Sequence, residues 1–216
     1  MAIVIIGGHS RSVGKTSVVS GLIAALAEFD WTAVKITQYG HGICSANGEA
    51  CDCATADHAW AVSEEKDRSG DSDTSRFLVA GALRSLWVRT EQGRLAEAMP
   101  TLRLRIAQAR NVIVESNSVV KFLRPDLYLT VLDPATADFK NSAREFLDWA
   151  SAVILHDPAG MRSSAWQNVS LKPVAGRPVF RISPPPYVTP EIVNFVVETL
   201  QNQKLRTANT ELRAES

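Results

Sequence analysis

One stretch near the start of the chain, Ala2-Ile-Val-Ile-Ile-Gly-Gly-His-Ser-Arg-Ser-Val-Gly-Lys-Thr-Ser17, constrains the fold more than any other. Residues 2–6 are apolar and mostly β-branched, the composition of a buried strand. Two glycines break that run, and Gly14-Lys15-Thr16 then opens a segment with helical apolar spacing at Val18, Val19, Leu22, Ile23 and Leu26, ending near Phe29. Strand, glycine-containing loop and helix in this order form the context that a phosphate-binding loop needs. Gly8, His9, Ser10, Arg11, Ser12, Val13, Gly14, Lys15, Thr16 and Ser17 are therefore the predicted nucleotide-binding segment. Backbone N–H groups and the dipole of the following helix favour negative charge there. Lys15 is expected to reach the β- and γ-phosphates and the Thr16 hydroxyl to ligate Mg²⁺.

Bulk properties narrow the classes of function. A chain of 216 residues suits one domain with a substantial core. Lysine plus arginine, 23, balances aspartate plus glutamate, 23, so no net field draws the chain to nucleic acid or an anionic membrane. No segment is long and apolar enough to span a bilayer, and the first residues lack the basic start of a signal peptide. Three cysteines, two of them one residue apart, make a disulfide framework a poor reading and a reducing cytoplasm the expected location.

Further elements follow in alternation. Strands are predicted at Thr32 to Thr37, Ser85 to Arg89, Asn111 to Glu115, Asp126 to Leu132, Ala152 to Leu155 and Pro178 to Ile182. Helices are predicted at Ala54 to Glu65, Thr74 to Ala82, 91–109 with a restart at Pro100, Lys140 to Trp149, around 160–170, and Pro190 to Gln201. Nearly all-apolar strands alternating with helices imply a mostly parallel sheet covered on both faces. The expected architecture is a single doubly wound α/β domain over 1–203, followed by a flexible polar tail at 204–216. Ligands of such a sheet sit at the carboxyl ends of its strands.

Several charged residues fall at those ends. Glu115 closes a strand before Ser116-Asn117-Ser118 and is the favoured Mg²⁺-handling acid, with Asp133 as its rival. Asp133-Pro134 is also good turn chemistry. Lys35, near the end of the second strand, is read as neutralising a phosphate or substrate anion, or else as snorkelling from a strand edge. Arg11 sits where a charge-stabilising finger would, although loop arginines commonly face solvent.

All three cysteines cluster in the long polar loop after the second strand: Cys44, Cys51 and Cys53, with His58 beyond and His41 just before. Three cysteines and one histidine suit structural zinc, and three thiolates suit an iron–sulfur cluster with an open site. The plainer alternatives are free thiols or a transient Cys51–Cys53 pair.

Asp73-Thr-Ser-Arg-Phe-Leu-Val-Ala-Gly-Ala82 resembles a helix of the GTP-binding adaptor proteins of molybdopterin–guanine dinucleotide biosynthesis, with Asp73, Arg76 and Ala80-Gly81-Ala82 in register. Lys35 with His41-Gly42, and Val114-Glu115, look similar to further parts of that family. The loop Gly8-x5-Gly14-Lys15-Thr16, one residue longer than the strict pattern, resembles that of dethiobiotin synthetases. These resemblances imply a P-loop NTPase, often dimeric, that works with a protein partner in maturing a metal-containing cofactor. In that reading Arg76 contacts a phosphate or a partner subunit, or simply pairs with Asp73 on the helix surface. No Asn-Lys-x-Asp occurs, and His156-Asp157 is the feature in its place, so ATP and GTP both stay open. The expected function is Mg²⁺-dependent binding and slow hydrolysis of ATP or GTP, coupled to metal or cofactor assembly. Lys15, Thr16, Glu115 and Lys35 are its expected catalytic set. The alternatives are a dethiobiotin-synthetase-like ligase acting on a small carboxylate and a nucleotide-gated metallochaperone.

Overall fold

The computed structural model describes residues 1–39, 59–157, 165–166 and 169–214, with backbone alone from 204 onward. Eight strands form one sheet in the order β3-β4-β2-β5-β1-β6-β7-β8. They are β1 (Ala2–Gly8), β2 (Trp31–Tyr39), β3 (Trp60–Glu64), β4 (Arg84–Glu91), β5 (Asn111–Glu115), β6 (Leu127–Leu132), β7 (Ala152–His156) and β8 (Val179–Ile182). Seven run parallel, and β3 alone is antiparallel at one edge. The helices are α1 (Lys15–Ala25), α2 (Asp73–Val79), α3 (Leu95–Ile106), α4 (Asn141–Glu145) and α5 (Pro190–Ala214).

Alternation along the strands builds two cores. On β1, Val4 and Ile6 join one cluster with Val18, Val19, Leu22 and Ile23 of α1 and Ile192, Val196 and Leu200 of α5. Ile5, between them, joins the other cluster with Leu95, Met99, Leu102 and Ile106 of α3. Period-two side chains on a sheet covered on both faces require this division. At the middle of the sheet, β1 lies between β5 and β6, so connections leave in opposite directions. The crevice at the carboxyl end of β1 is the switch point where such sheets bind ligands.

Four local readings change. Residues 60–64, expected as the end of a helix, form edge strand β3, paired from Trp60↔Thr90 to Glu64↔Leu86. Trp60 and Val62, two apart, pack on the core, and Glu64 pairs with Arg84 at 2.9 Å. This cross-strand packing overrides a local pattern too short to show its period. Pro100 lies inside α3 rather than restarting it, because Leu95, Ala98, Met99, Leu102 and Ile106 form a continuous buried stripe. That packing outweighs the roughly 3 kcal/mol a mid-helix proline costs. The segment Lys140 to Trp149 divides into α4 and a 3₁₀ turn at Leu147–Trp149. Finally, α5 continues past the expected end at Gln201 to Ala214. The helix expected around 160–170 falls mostly outside the described residues. Among the described residues no helix is long and apolar enough to cross a membrane.

Candidate nucleotide-binding site

Strand parity assembles the centre of the site. On β2, Val34 and Ile36 face the α3 side, so Lys35 faces α1; on β5, Val112 and Val114 face α3, so Glu115 also faces α1. Parallel register sets Lys35 directly opposite Glu115. The Glu115 carboxylate, only 2% exposed, accepts hydrogen bonds from the Lys35 ammonium and from the Thr16 hydroxyl, the latter at 2.8 Å. Lys35 reaches a second carboxylate, Asp73, the first residue of α2, at 2.8 Å. Ser72 caps α2 by accepting from the Ser75 N–H at 3.0 Å, and so fixes Asp73 beside Lys35.

The loop between β1 and α1 is clamped from three sides. Asn117 accepts from the Gly8 N–H and donates to the Gly8 carbonyl, each at 2.9 Å, and the Tyr128 hydroxyl donates to Asn117 at 3.2 Å. Gly7 must be glycine here, since a Cβ would lie 2.3 Å from Asn117 Oδ1. His9 is fully buried: its Nε2 accepts from the Asp133 N–H at 3.0 Å, which leaves Nδ1–H to donate to the Asp138 carbonyl at 2.7 Å. Burial lowers the His9 pKa, and this neutral tautomer is the form the two bonds require. Its side chain thus serves the scaffold, leaving its backbone in the loop. Ser10 donates to Asp138 at 2.5 Å. Gly14 has φ +85° and precedes α1 with a ring of Tyr187 so close that a Cβ would sit 2.1 Å from Cε1.

No side chain caps α1, and its first turn carries no acid. Part of the Lys15 side chain stays accessible, but its ammonium end is enclosed and donates to the Ser10 carbonyl within the loop. Loss of hydration lowers the Lys15 pKa to about 8, with Glu115 opposing the shift and Lys140 and Lys35 adding to it. Burial works to lower the Lys35 pKa as well, yet Glu115 and Asp73 outweigh it and the value is raised. Burial likewise opposes ionisation of Asp73, but Lys35, aided by a Thr16 hydrogen bond, pulls its pKa below the usual range.

The predicted residues therefore divide. Lys15, Thr16, Lys35 and Glu115 converge, while Asp133 is spent in a turn, accepting from Ala135 N–H at 3.0 Å and Thr136 Oγ1 at 2.8 Å. Arg11 and Ser12 are exposed, and Ser17 accepts from Arg76 at 3.3 Å. Arg76 also lies 4.0 Å from Asp73, the helix-surface pairing that the sequence left open. Val13 is buried in the α1-side core. His41, Cys44, Cys51, Cys53 and His58 lie outside the described residues. Among the described residues, no group of three or more His, Cys, Asp or Glu side chains could hold a metal ion. Asp138, Lys140 and Tyr187 were missed, because nothing local in the chain marks them as neighbours of residues 9–14.

A buried strand, a loop leading to Gly14-Lys15-Thr16, and an adjacent parallel strand ending in Glu115 define the fold of a P-loop NTPase. HypB from Helicobacter pylori, solved in complex with nickel, shares it at TM-score 0.51 and 14% identity, over 95% of this chain and 88% of that one. The MobB protein homologue from Bacillus stearothermophilus aligns at TM-score 0.43 and 16% identity over 93% and 99% of the two chains. LpxK from Aquifex aeolicus, solved with ATP, aligns at TM-score 0.46 and 15% identity over 84% of this chain and 53% of that one. No protein-family profile matches the sequence, and no curated protein matches it either.

Proposed function

We propose that this protein binds ATP or GTP with Mg²⁺ and hydrolyses it slowly, in the service of metal-centre or cofactor assembly. One observation carries the reading: an enclosed Lys15 ammonium, held by a carbonyl of its own loop, at the head of an uncapped helix. An unpaired enclosed cation is costly, and a phosphate offsets that cost. Thr16, Asp73 and Glu115 are oxygen donors of the kind that suit Mg²⁺, which takes one or two carboxylates and completes its shell from phosphates and water. When bound, the ion neutralises charge on the phosphoryl oxygens. Hydrolysis joins the water oxygen to the terminal phosphorus and breaks its bond to the bridging oxygen. Nucleoside diphosphate, inorganic phosphate and a proton leave. Glu115 is shared between Lys35 and Thr16, which suits orientation and charge balance rather than proton abstraction. Lys35 is likewise engaged by two carboxylates, and this supports hydrolysis over phosphorylation of a small carboxylate.

The sign of the Lys15 shift gives a test. Phosphate favours the ammonium form, so affinity for nucleotide should be level up to pH 8 and fall above it. Isothermal calorimetry with Mg²⁺ and a non-hydrolysable triphosphate should show binding about tenfold weaker at pH 9 than at pH 7, with proton uptake at pH 9. Absence of binding to both the adenine and the guanine analogue would overturn the reading.

The coupling to metal rests on Cys44, Cys51, Cys53 and His58, in the segment that leaves the carboxyl end of β2, the strand carrying Lys35. In this reading that segment holds zinc or an iron–sulfur cluster, the protein works as a homodimer, and its partner is a cofactor-assembly protein. Protein purified without oxygen should contain near-stoichiometric zinc, or iron with sulfide. The Cys51→Ser/Cys53→Ser variant should lack it; metal-free wild-type protein removes the metal part of the proposal.

A further inference from the structure

The segment from Asp133 to Lys140 is laid along the phosphate loop by a set of specific bonds. His9 bridges the Asp133 N–H and the Asp138 carbonyl, Ser10 donates to Asp138, and the Lys140 N–H donates to the His9 carbonyl at 2.8 Å. Phe139 packs on the His9 ring, with centroids 5.1 Å apart. Lys140, next in the chain, is half-buried. Among the described residues its ammonium has no hydrogen bond and no ion pair, unlike Lys35.

The bond from the Lys140 N–H to the His9 carbonyl sets this residue beside the loop, and its charged surroundings agree. Lys140 feels Arg11, Asp138, Lys35 and Glu115, and Lys15 feels Lys140 in turn. The two carboxylates among these are already engaged, Asp138 by Ser10 and Glu115 by Thr16 and Lys35. Burial, then Arg11, lowers the Lys140 pKa, as expected for an ammonium held near other cations without an anion of its own. An exposed lysine would turn to water; this one is kept half out of it by a segment bonded to the loop. Among the described residues, no carboxylate pairs with Arg11, Lys15 or Lys140, and the last two feel each other's charge or that of Arg11.

We propose that Lys140 contacts the terminal phosphate of the bound nucleoside triphosphate and so makes the site discriminate triphosphate from diphosphate. This rests on the nucleotide-binding reading above. Helix α1 and Lys15 serve the phosphates at the loop, whereas Lys140 approaches from the β6 side and is felt by Glu115 and Lys35, which mark the end where Mg²⁺ and the transferred group belong. The contact exists in the triphosphate state and is lost when phosphate leaves.

The test compares wild type with Lys140→Met and Lys140→Arg, using fluorescent non-hydrolysable triphosphate and the matching diphosphate, each with Mg²⁺. Any non-proline residue keeps the N–H bond to His9, and matched thermal melts confirm folding. Lys140→Met should weaken triphosphate binding by roughly 10- to 100-fold, the worth of a hydrogen bond to a charged group, while diphosphate binding changes less than about twofold. Lys140→Arg should restore most of the loss. Equal weakening of both ligands, or of neither, with wild type binding both, overturns the role of Lys140 alone. Failure of wild type to bind either nucleotide overturns the underlying reading and this inference with it.

Discussion

Lys15→Met is expected to abolish nucleotide turnover and weaken triphosphate binding by up to about 100-fold, while making the nucleotide-free protein more stable. The first effect is the loss of a charged donor aimed into the loop, worth up to about 3 kcal/mol. The second follows from the lowered pKa. A lysine whose folded-state value falls from 10.5 to about 8 opposes folding by up to about 3 kcal/mol, at about 1.36 kcal/mol per unit. That penalty is fully present below pH 8 and fades as pH rises toward 10.5, where the unfolded chain also loses its proton. Urea unfolding at pH 7 should therefore show the variant more stable by about 1–3 kcal/mol, and the difference should close by pH 10.5. A variant that is less stable than wild type at pH 7 would mean that the ammonium is well solvated. Retained nucleotide affinity would exclude the loop as the phosphate site.

Lys35→Met should have the opposite effect on stability. It leaves Glu115, 2% exposed, without its cation, and frees Asp73 from its 2.8 Å partner. Breaking a buried pair from one side costs about 3–5 kcal/mol, a large share of the roughly 5–15 kcal/mol that holds a domain together. Because the Lys35 pKa is raised, its contribution is complete from neutral pH up to the ordinary lysine value and is lost on the alkaline side in strongly basic solution. Chemical denaturation at pH 7 measures the loss. Lys35→Met/Glu115→Met should recover much of it, since replacing both partners by apolar groups is often close to neutral. A cost below about 1 kcal/mol for Lys35→Met would show that the pair is exposed and weak.

The fold was legible where a signal lies within a few residues. The apolar run of β1, the Gly14-Lys15-Thr16 start of α1 and the Val-Ile-Val-Glu end of β5 each announce their element through local period and composition. Seven of the eight strands were expected within a few residues of where they lie. The exception, β3, is five residues long and owes its form to β4 beside it. Pro100 was read by its local rule and lies within a helix held by distant packing.

The sequence by itself determined that a parallel α/β sheet would carry a phosphate loop after its first strand, and that an acid would end a neighbouring strand. Those properties depend on residue order and side-chain period, which act over one element at a time. Tertiary structure alone decided that Lys35 stands opposite Glu115, since one step of register would turn either side chain to the other face. It also decided that Asn117 clamps Gly8 across 109 positions, that His9 and Ser10 are bonded to the segment ending in Lys140, and that Tyr187 covers Gly14. Such partners meet only after strands far apart in the chain have paired, and no periodicity within either segment records the meeting.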